Sequence, residues 1–220
     1  GVCSVMPKTV ALPAMLTIAF VTGTEPGKWF RRYAQMSGED PATLPSDDPF
    51  PLVGKDADAA LVRLPDERVT DEYHVVRLYE EAWGVAVPKD SVYAEVGEVD
   101  RGDLAEEIVN FEYAEQTLID DLRTALSVVA ANVGIAYGPL PLLKTLAKKQ
   151  IKALPIDPGE GVNTTTVALV WRKSDDCDAI QDFVGITKGR TPRSSRNTSH
   201  PRSGGKKTRR SRGAHNGRRT

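Results

Sequence analysis

A glycine-containing loop separates an apolar run from a helix-like stretch in the segment LTIAFVTGTEPGKWF, residues 16 to 30. A strand, a glycine loop and a helix N-terminus together form a common anion-binding arrangement, so phosphate binding is the first chemistry to consider. The P-loop motif needs four residues between its glycines, whereas Gly23 and Gly27 enclose only three. Trp29 stands where that motif has its magnesium-binding hydroxyl. The loop is therefore not expected to bind a nucleotide.

Other catalytic and metal-binding chemistry has little support in the sequence. The three histidines and two cysteines show no metal-ligand spacing, so no metal and no cofactor are expected. No nucleophile lies in a recognised elbow motif, and the acidic neighbours of Cys177 disfavour its thiolate. Three adjacent acid pairs are interpreted as solvated surface: Glu80/Glu81, Glu106/Glu107 and Asp120/Asp121. The chain is therefore not expected to be an enzyme.

Charge is distributed very unevenly along the 220 residues. Residues 188 to 220 contain twelve Lys or Arg and no Asp or Glu, which leaves 17 basic and 30 acidic residues in the rest of the chain. An acidic body of about −13 thus precedes a basic tail of about +12. The tail is rich in Gly, Ser and Arg and has almost no apolar residues, so residues 189–220 are predicted to be disordered.

The N-terminal run TVALPAMLTIAFV is too short to span a bilayer and has no well-placed cleavage pattern after it. We interpret residues 1–14 as a flexible leader and the run from Leu16 to Val21 as a buried strand. With two cysteines that cannot form a disulfide framework and no membrane segment, a cytoplasmic protein is expected.

Strand-like and helix-like segments alternate after this strand. Helical spacing follows the glycine loop in GKWFRRYAQM, and a Pro/Asp-rich connection leads to a second buried strand at 57–64. Strand-like stretches at 75–79 and 82–87 precede a short helix and strand in RGDLAEEIVNF, then a helix whose apolar line runs from Leu118 to Val129. The series ends with a short β-like run in VGIAYGPLP, a small helix at 142–149, a β-branched run in VNTTTVALVWRK and a helix in DCDAIQDFVGITKG. This alternation predicts an α/β fold with a mostly parallel sheet.

The order of these motifs resembles the effector-binding domain of LysR-type transcriptional regulators over roughly residues 16 to 188. The resemblance is carried by LTIAFVTG, DADAALVRLP, VRLYEEAWGVAVPKD, DLAEEIV, LSVVAANVGIAYGPL and VALVWRK. The ending FVGITKGRTPRSSR is further similar to an actinobacterial group of such proteins that often has no usual DNA-binding domain. Two departures matter: the residues before the first strand are too few for a helix-turn-helix, and Asn132 replaces a family glycine, which is a mild change.

The resemblance implies a type 2 periplasmic-binding-protein-like fold, with two Rossmann-like subdomains and a ligand cleft between them. Subdomain I would comprise residues 15–84 plus 168–188, and subdomain II residues 85–167. The family implies a small effector in the cleft, often a carboxylate, and a homodimer. Ligands collect at such a crevice because strand carboxyl ends and helix N-termini converge there. We therefore expect a domain that senses a small anionic metabolite, with a role in transcriptional regulation.

Six residues are candidate ligand contacts, and each has a structural alternative. Thr22, Gly23 and Thr24 offer hydroxyl and N–H groups to a carboxylate, although Thr24 would equally suit helix capping. Arg63 could pair with an acidic ligand in bidentate fashion or form a salt bridge within the protein. Lys28 could reach the loop or be solvated. Tyr137 could close over a ligand or be a buried structural tyrosine.

An alternative hypothesis assigns the function to the tail, as part of a nucleic-acid-associated accessory protein. Its cations would neutralise DNA or RNA phosphates without sequence preference, and the absence of aromatic residues argues against base stacking. A solubilising extension, or an arm that folds back on the acidic body, remains open. The candidate contacts in the tail are Lys206, Lys207, Arg209, Arg210 and Arg212.

Overall fold

The computed structural model describes residues 15–97, 99–159, 162 and 164–189. The predicted leader and tail, 1–14 and 190–220, therefore lie outside the described residues. Nine strands and five α-helices occur in the described part, in the order β1 (Thr17–Val21), α1 (Gly27–Ser37), β2 (Ala42–Ser46), β3 (Ala59–Leu64), β4 (Tyr73–Glu80), β5 (Trp83–Pro88), α2 (Tyr93–Val96), β6 (Val109–Glu112), α3 (Ile119–Ala130), β7 (Ile135–Pro139), α4 (Leu140–Leu146), β8 (Ile151–Pro155), β9 (Thr166–Arg172) and α5 (Asp178–Thr187).

The first sheet has the strand order β2-β1-β3-β9-β4. β1 pairs in parallel with β2 and β3, whereas β9 is antiparallel to β3 and β4. Helices α1 and α5 pack against one another and bury their aromatic side chains on one face of the sheet, where Phe183 contacts Phe30 and Tyr33. β3 is buried at every position because apolar residues cover both of its faces, as expected of a central strand.

The second sheet has the strand order β6-β7-β5-β8. β6 is parallel to β7, and β5 is antiparallel to β7 and β8. One face packs against α3 and α4 through an apolar stripe that includes Leu122, Leu126 and Leu143. The other face is covered by α2, where Ala94 is buried, and by the 3-10 turn at Arg101–Leu104, where Leu104 is buried. Each sheet therefore has its own core, and Val21 at the end of β1 packs into that of the second sheet.

The chain crosses between the sheets twice, from β4 to β5 and from β8 to β9. At the crossings, the N–H of Glu81 donates to the carbonyl oxygen of Thr165 at 2.8 Å, so the two crossing segments lie side by side. We propose these crossings as the subdomain boundaries. The boundaries drawn from the sequence, 84/85 and 167/168, fall inside β5 and β9.

The expectation of a mostly parallel sheet is wrong. Three of the strand pairings in the described residues are parallel and four are antiparallel. The physical reason is the two crossings: a strand that returns from the other subdomain enters the sheet from the opposite end. Leu118, expected on the buried line of α3, precedes that helix and is 66% exposed.

Candidate functional site

A cleft of about 420 Å³ lies between the two sheets. The ends of β1, β2 and β3 form one wall, and the segment from the end of β6 to the first turn of α3 forms the other. Strand carboxyl ends thus meet at this crevice, as expected for an α/β fold. Its lining residues are Val21, Asp47, Asp48, Pro49, Val62, Arg63, Asp66, Glu67, Arg68, Tyr113, Glu115, Gln116, Thr117, Leu118, Ile119 and Asp120.

The threonine hydroxyls of the glycine loop are already committed within the protein. The hydroxyl of Thr22 donates to the Asp47 carboxylate, and the buried hydroxyl of Thr24 donates to the carbonyl oxygen of Val21 at 2.7 Å. Helix α1 is preceded by Pro26 and has no side-chain cap, so Thr24 does not cap it. Neither hydroxyl is left as a donor for a carboxylate.

Gly23 fits closely between the two halves of the molecule. Its φ of +91° is in the left-handed region, and a Cβ at this position would lie 2.8 Å from both Arg63 Nη2 and Leu142 Cα. The loop therefore packs directly on the start of α4. Gly23 and Leu140 also line a second, separate opening of about 430 Å³.

Arg63 forms the central ion pair of the site. Its Nε and Nη2 donate to the two carboxylate oxygens of Glu81 at 2.7 and 3.0 Å, and its Nη1 donates to the carbonyl oxygen of Thr22 at 2.8 Å. The hydroxyl of Thr165 donates to the same carboxylate at 2.7 Å. The side chains of Arg63 and Glu81 are 5% and 0% exposed. One guanidinium thus connects the glycine loop to both crossing segments.

A second ion pair spans the rim of the cleft. Arg123 on α3 donates from Nη1 and Nη2 to the two oxygens of Asp47, at 2.5 and 3.0 Å, and also from Nη1 to Asp120. The hydrogen bond from Arg123 is the main reason that the pKa of Asp47 lies below its ordinary value. Asp47 follows β2 in the first sheet, so this pair holds the two subdomains together from the surface side.

Arg68 is also paired inside the cleft. Its guanidinium donates to Asp48 at 2.7 and 2.9 Å and to Asp66 at 2.7 and 2.9 Å. Burial alone would raise the pKa of Asp66, but the hydrogen bonds from Arg68 outweigh it, and the pKa lies below its ordinary value. Both arginines that line the cleft are therefore neutralised by carboxylates of the protein.

The remaining candidate contacts lie away from the cleft lining. Lys28 is exposed, with its ammonium 5.8 Å from the centre of the Trp29 ring. Tyr137 is 4% exposed in the core of the second subdomain, and the Arg101 guanidinium lies 4.3 Å from the centre of its ring. Burial raises the pKa of Tyr137. Tyr113 is the aromatic residue that lines the cleft. Ligand contact by the six sequence candidates stays a prediction.

The cleft lining is strongly acidic. It carries six carboxylates, those of Asp47, Asp48, Asp66, Glu67, Glu115 and Asp120, against the two guanidinium groups of Arg63 and Arg68. Its formal charge is therefore −4. Including Arg123 and Glu81, which pair with lining residues, leaves this balance unchanged.

Sequence reasoning missed several residues of this site. The interpretation of Glu81 as solvated surface is wrong, because the second crossing segment and Arg63 bury it. Its position just before an apolar run was the only signal. Arg123 had no distinctive signal, since its partner Asp47 lies 76 residues away.

Among the described residues, no three His, Cys, Asp or Glu side chains are grouped so that they could hold a metal ion. No helix of the same residues is long and apolar enough to cross a membrane. The tail candidates Lys206, Lys207, Arg209, Arg210 and Arg212 lie outside the described residues.

No protein-family model matches the chain, and no curated protein matches it by sequence. Solved structures do match it. The BenM effector-binding domain with its effector benzoate is 15% identical, with a TM-score of 0.58, over 86% of this chain and 96% of that one. A mutant regulatory domain of OxyR from Pseudomonas aeruginosa is 16% identical, with a TM-score of 0.54, over 80% and 96%. A full-length BenM mutant is 14% identical, with a TM-score of 0.60, over 89% and 73%. The chain therefore has the two-subdomain, periplasmic-binding-protein-like α/β fold of LysR-type effector-binding domains.

Proposed function

We propose that this protein is a non-enzymatic effector-sensing module, which binds a small metabolite in the cleft and acts in transcriptional regulation. The observation that carries the proposal is the 420 Å³ cleft between two sheets joined by only two crossing segments. Its volume is within the range of small-molecule sites. The fold shared with the BenM domain, which was solved with its effector benzoate, supports the same function.

Sensing would use the hinge between the subdomains. A ligand that contacts both walls of the cleft favours the closed arrangement by its differential affinity for that state. Arg63 anchors the hinge, because it joins both crossing segments to the glycine loop. The exposed Arg123 pair at the rim is the weaker connection, and it can exchange as the cleft opens and closes. The protein would act in the cytoplasm as a homodimer, in which two copies of the chain contact each other through the outer faces of their α/β subdomains.

A thermal-shift screen of small metabolites tests the proposal. A ligand at about 100 times its Kd adds about 2.7 kcal/mol to the free energy of unfolding. For a protein of this size that corresponds to a rise in Tm of roughly 5 to 10 °C. The screen includes anionic metabolites, which the sequence favours, together with neutral and cationic ones.

Two matched variants locate the binding site. Gln116 is exposed and lines the cleft, so Gln116→Trp is expected to fill the entrance and abolish the shift. Gln150 is exposed outside the cleft lining, so Gln150→Trp is expected to leave the shift unchanged. A shift that survives Gln116→Trp, or no shift with any compound, would contradict binding in the cleft.

A second candidate function is nucleic-acid association through the tail, which the charge count favours: residues 188 to 220 contain twelve basic and no acidic residues. Each phosphate that the tail neutralises would make the affinity for duplex DNA or RNA fall more steeply as the salt concentration rises. The test compares the full chain with a variant carrying Gln at the five tail candidates. Equal affinity and equal salt dependence of the two proteins would eliminate this function.

A further inference from the structure

We infer that the cleft selects a cationic ligand, one that carries a guanidinium or ammonium group, rather than an anion. The inference rests on the proposed function, since it names the ligand class of the same cavity. Its basis is the formal charge of −4 on the cleft lining, combined with the pairing of both lining arginines to carboxylates of the protein.

Within the described part of the chain, the arginine and the threonine hydroxyls expected to bind an anion at such a crevice have partners in the protein. Arg63 has Nε, Nη1 and Nη2 engaged by Glu81 and by the carbonyl oxygen of Thr22. The Thr24 hydroxyl is engaged by a main-chain carbonyl. The first turn of α3 faces the cleft, but Asp120 lies in that turn together with Asp121, and both oppose the attraction of the helix N-terminus for an anion.

Groups suited to a cation remain. Within the described part of the chain, Glu67 and Glu115 form no hydrogen bond or ion pair, and they line opposite walls of the cleft. Tyr113 also lines the cavity, and burial raises the pKa of its phenol, so the ring stays neutral and can contact a cation. A cleft lined by one sign of charge also concentrates counter-ions from solution.

The guanidinium or ammonium group that occupies the cleft can come from either of two sources. One is a small organic cation from solution. The other is the chain's own basic tail: the last described residues, Lys188 and Gly189, lead into it, and Lys188 lines a cavity that shares Asp66 with the cleft. Attachment to the chain gives such a segment a high effective concentration at the cleft.

Calorimetric titration of the full chain tests the inference, with agmatine, which carries one guanidinium and one ammonium group, and with benzoate and glutarate as anions. Agmatine is expected to bind. Its affinity should fall as salt is raised to the physiological concentration, because the Debye length there is only about 8 Å and charges are screened. Glu67→Gln/Glu115→Gln is expected to weaken agmatine binding roughly 5- to 30-fold. Glu106→Gln, at an exposed glutamate outside the cleft lining, is the control and should change nothing.

A variant with Gln at Lys206, Lys207, Arg209, Arg210 and Arg212 distinguishes the sources. Tighter agmatine binding in this variant supports the tail as a competing occupant, and unchanged binding supports a free cation; both support a cationic ligand. Benzoate or glutarate binding without agmatine binding overturns the inference but leaves effector sensing intact. No binding of any probe by either protein overturns the inference, and the separate metabolite screen then decides whether effector sensing itself fails.

Discussion

Replacement of Arg63 by methionine is expected to destabilise the protein far more than the loss of a surface ion pair would. The change leaves the Glu81 carboxylate, whose side chain is 0% exposed, with Thr165 as its remaining hydrogen-bond donor. It also removes the 2.8 Å hydrogen bond to the carbonyl oxygen of Thr22. Breaking a buried ion pair by removing one partner costs about 3 to 5 kcal/mol, and that is the loss in unfolding free energy expected here.

Urea denaturation at neutral pH, followed by tryptophan fluorescence and circular dichroism, measures this loss. Arg68→Met is the control, because Arg68 is 48% exposed and its removal should cost no more than about 1 kcal/mol. The double variant Arg63→Met/Glu81→Met removes both charges together and should recover most of the stability lost in the single variant.

Two results would refute this account of the hinge. A loss below about 1 kcal/mol for Arg63→Met would mean that water reaches Glu81 and the pair is not buried in solution. Losses that simply add in the double variant would mean that Arg63 and Glu81 do not interact.

Three further predictions concern the glycine loop and the rim. Gly23→Ala is expected to cost roughly 1 to 3 kcal/mol, since φ is +91° and the new Cβ would lie 2.8 Å from Leu142 Cα; urea denaturation measures it. Thr24→Val should cost about 1 kcal/mol by the same measurement and leave agmatine affinity unchanged, because its hydroxyl bonds a main-chain carbonyl. The pKa of Asp47 is lowered in the folded state, chiefly by Arg123, so its stabilising contribution is present above its ordinary pKa of 3.8 and is lost as pH falls through the lower folded value. Asp47→Asn should therefore flatten the loss of stability in acid, as followed by unfolding at a series of pH values.

The central strands were predictable because their residues are apolar on both faces. Ala59–Leu64 and Trp83–Pro88 are buried at every position, and each appears in the sequence as an apolar run. The sequence does not predict the edge strands Ala42–Ser46 and Ile151–Pro155. The first has no fully buried position and contains Pro45, and the second is buried only at Ile151 and Leu154. These two strands form because they pair with β1 and β5, and their local sequence alone does not indicate a strand.

The location of the cleft was predictable, but its charge was not. The fold places Arg63 at the end of β3, where sequence reasoning also placed it. Its partner Glu81 is 18 residues away, and Thr165 lies 84 residues beyond Glu81, so the network depends on the two crossings and on no local pattern. A salt bridge is one of the two alternatives that the sequence leaves open for Arg63, and the ion pair with Glu81 is present.

The ion pair of the hinge also determines what the cleft can bind. An anion that pairs with Arg63 through Nε and Nη2 must first displace Glu81, and it then leaves that carboxylate buried without its cation. Losing this pairing, at about 3 to 5 kcal/mol, would raise the Kd of such an anion by roughly two to four orders of magnitude. A cation meets no such opposition, because Glu67 and Glu115 on the two walls form no ion pair with any described residue. Arg63, for which the sequence leaves an acidic ligand and an internal salt bridge open, therefore stabilises the hinge and leaves the cleft to ligands of the opposite charge.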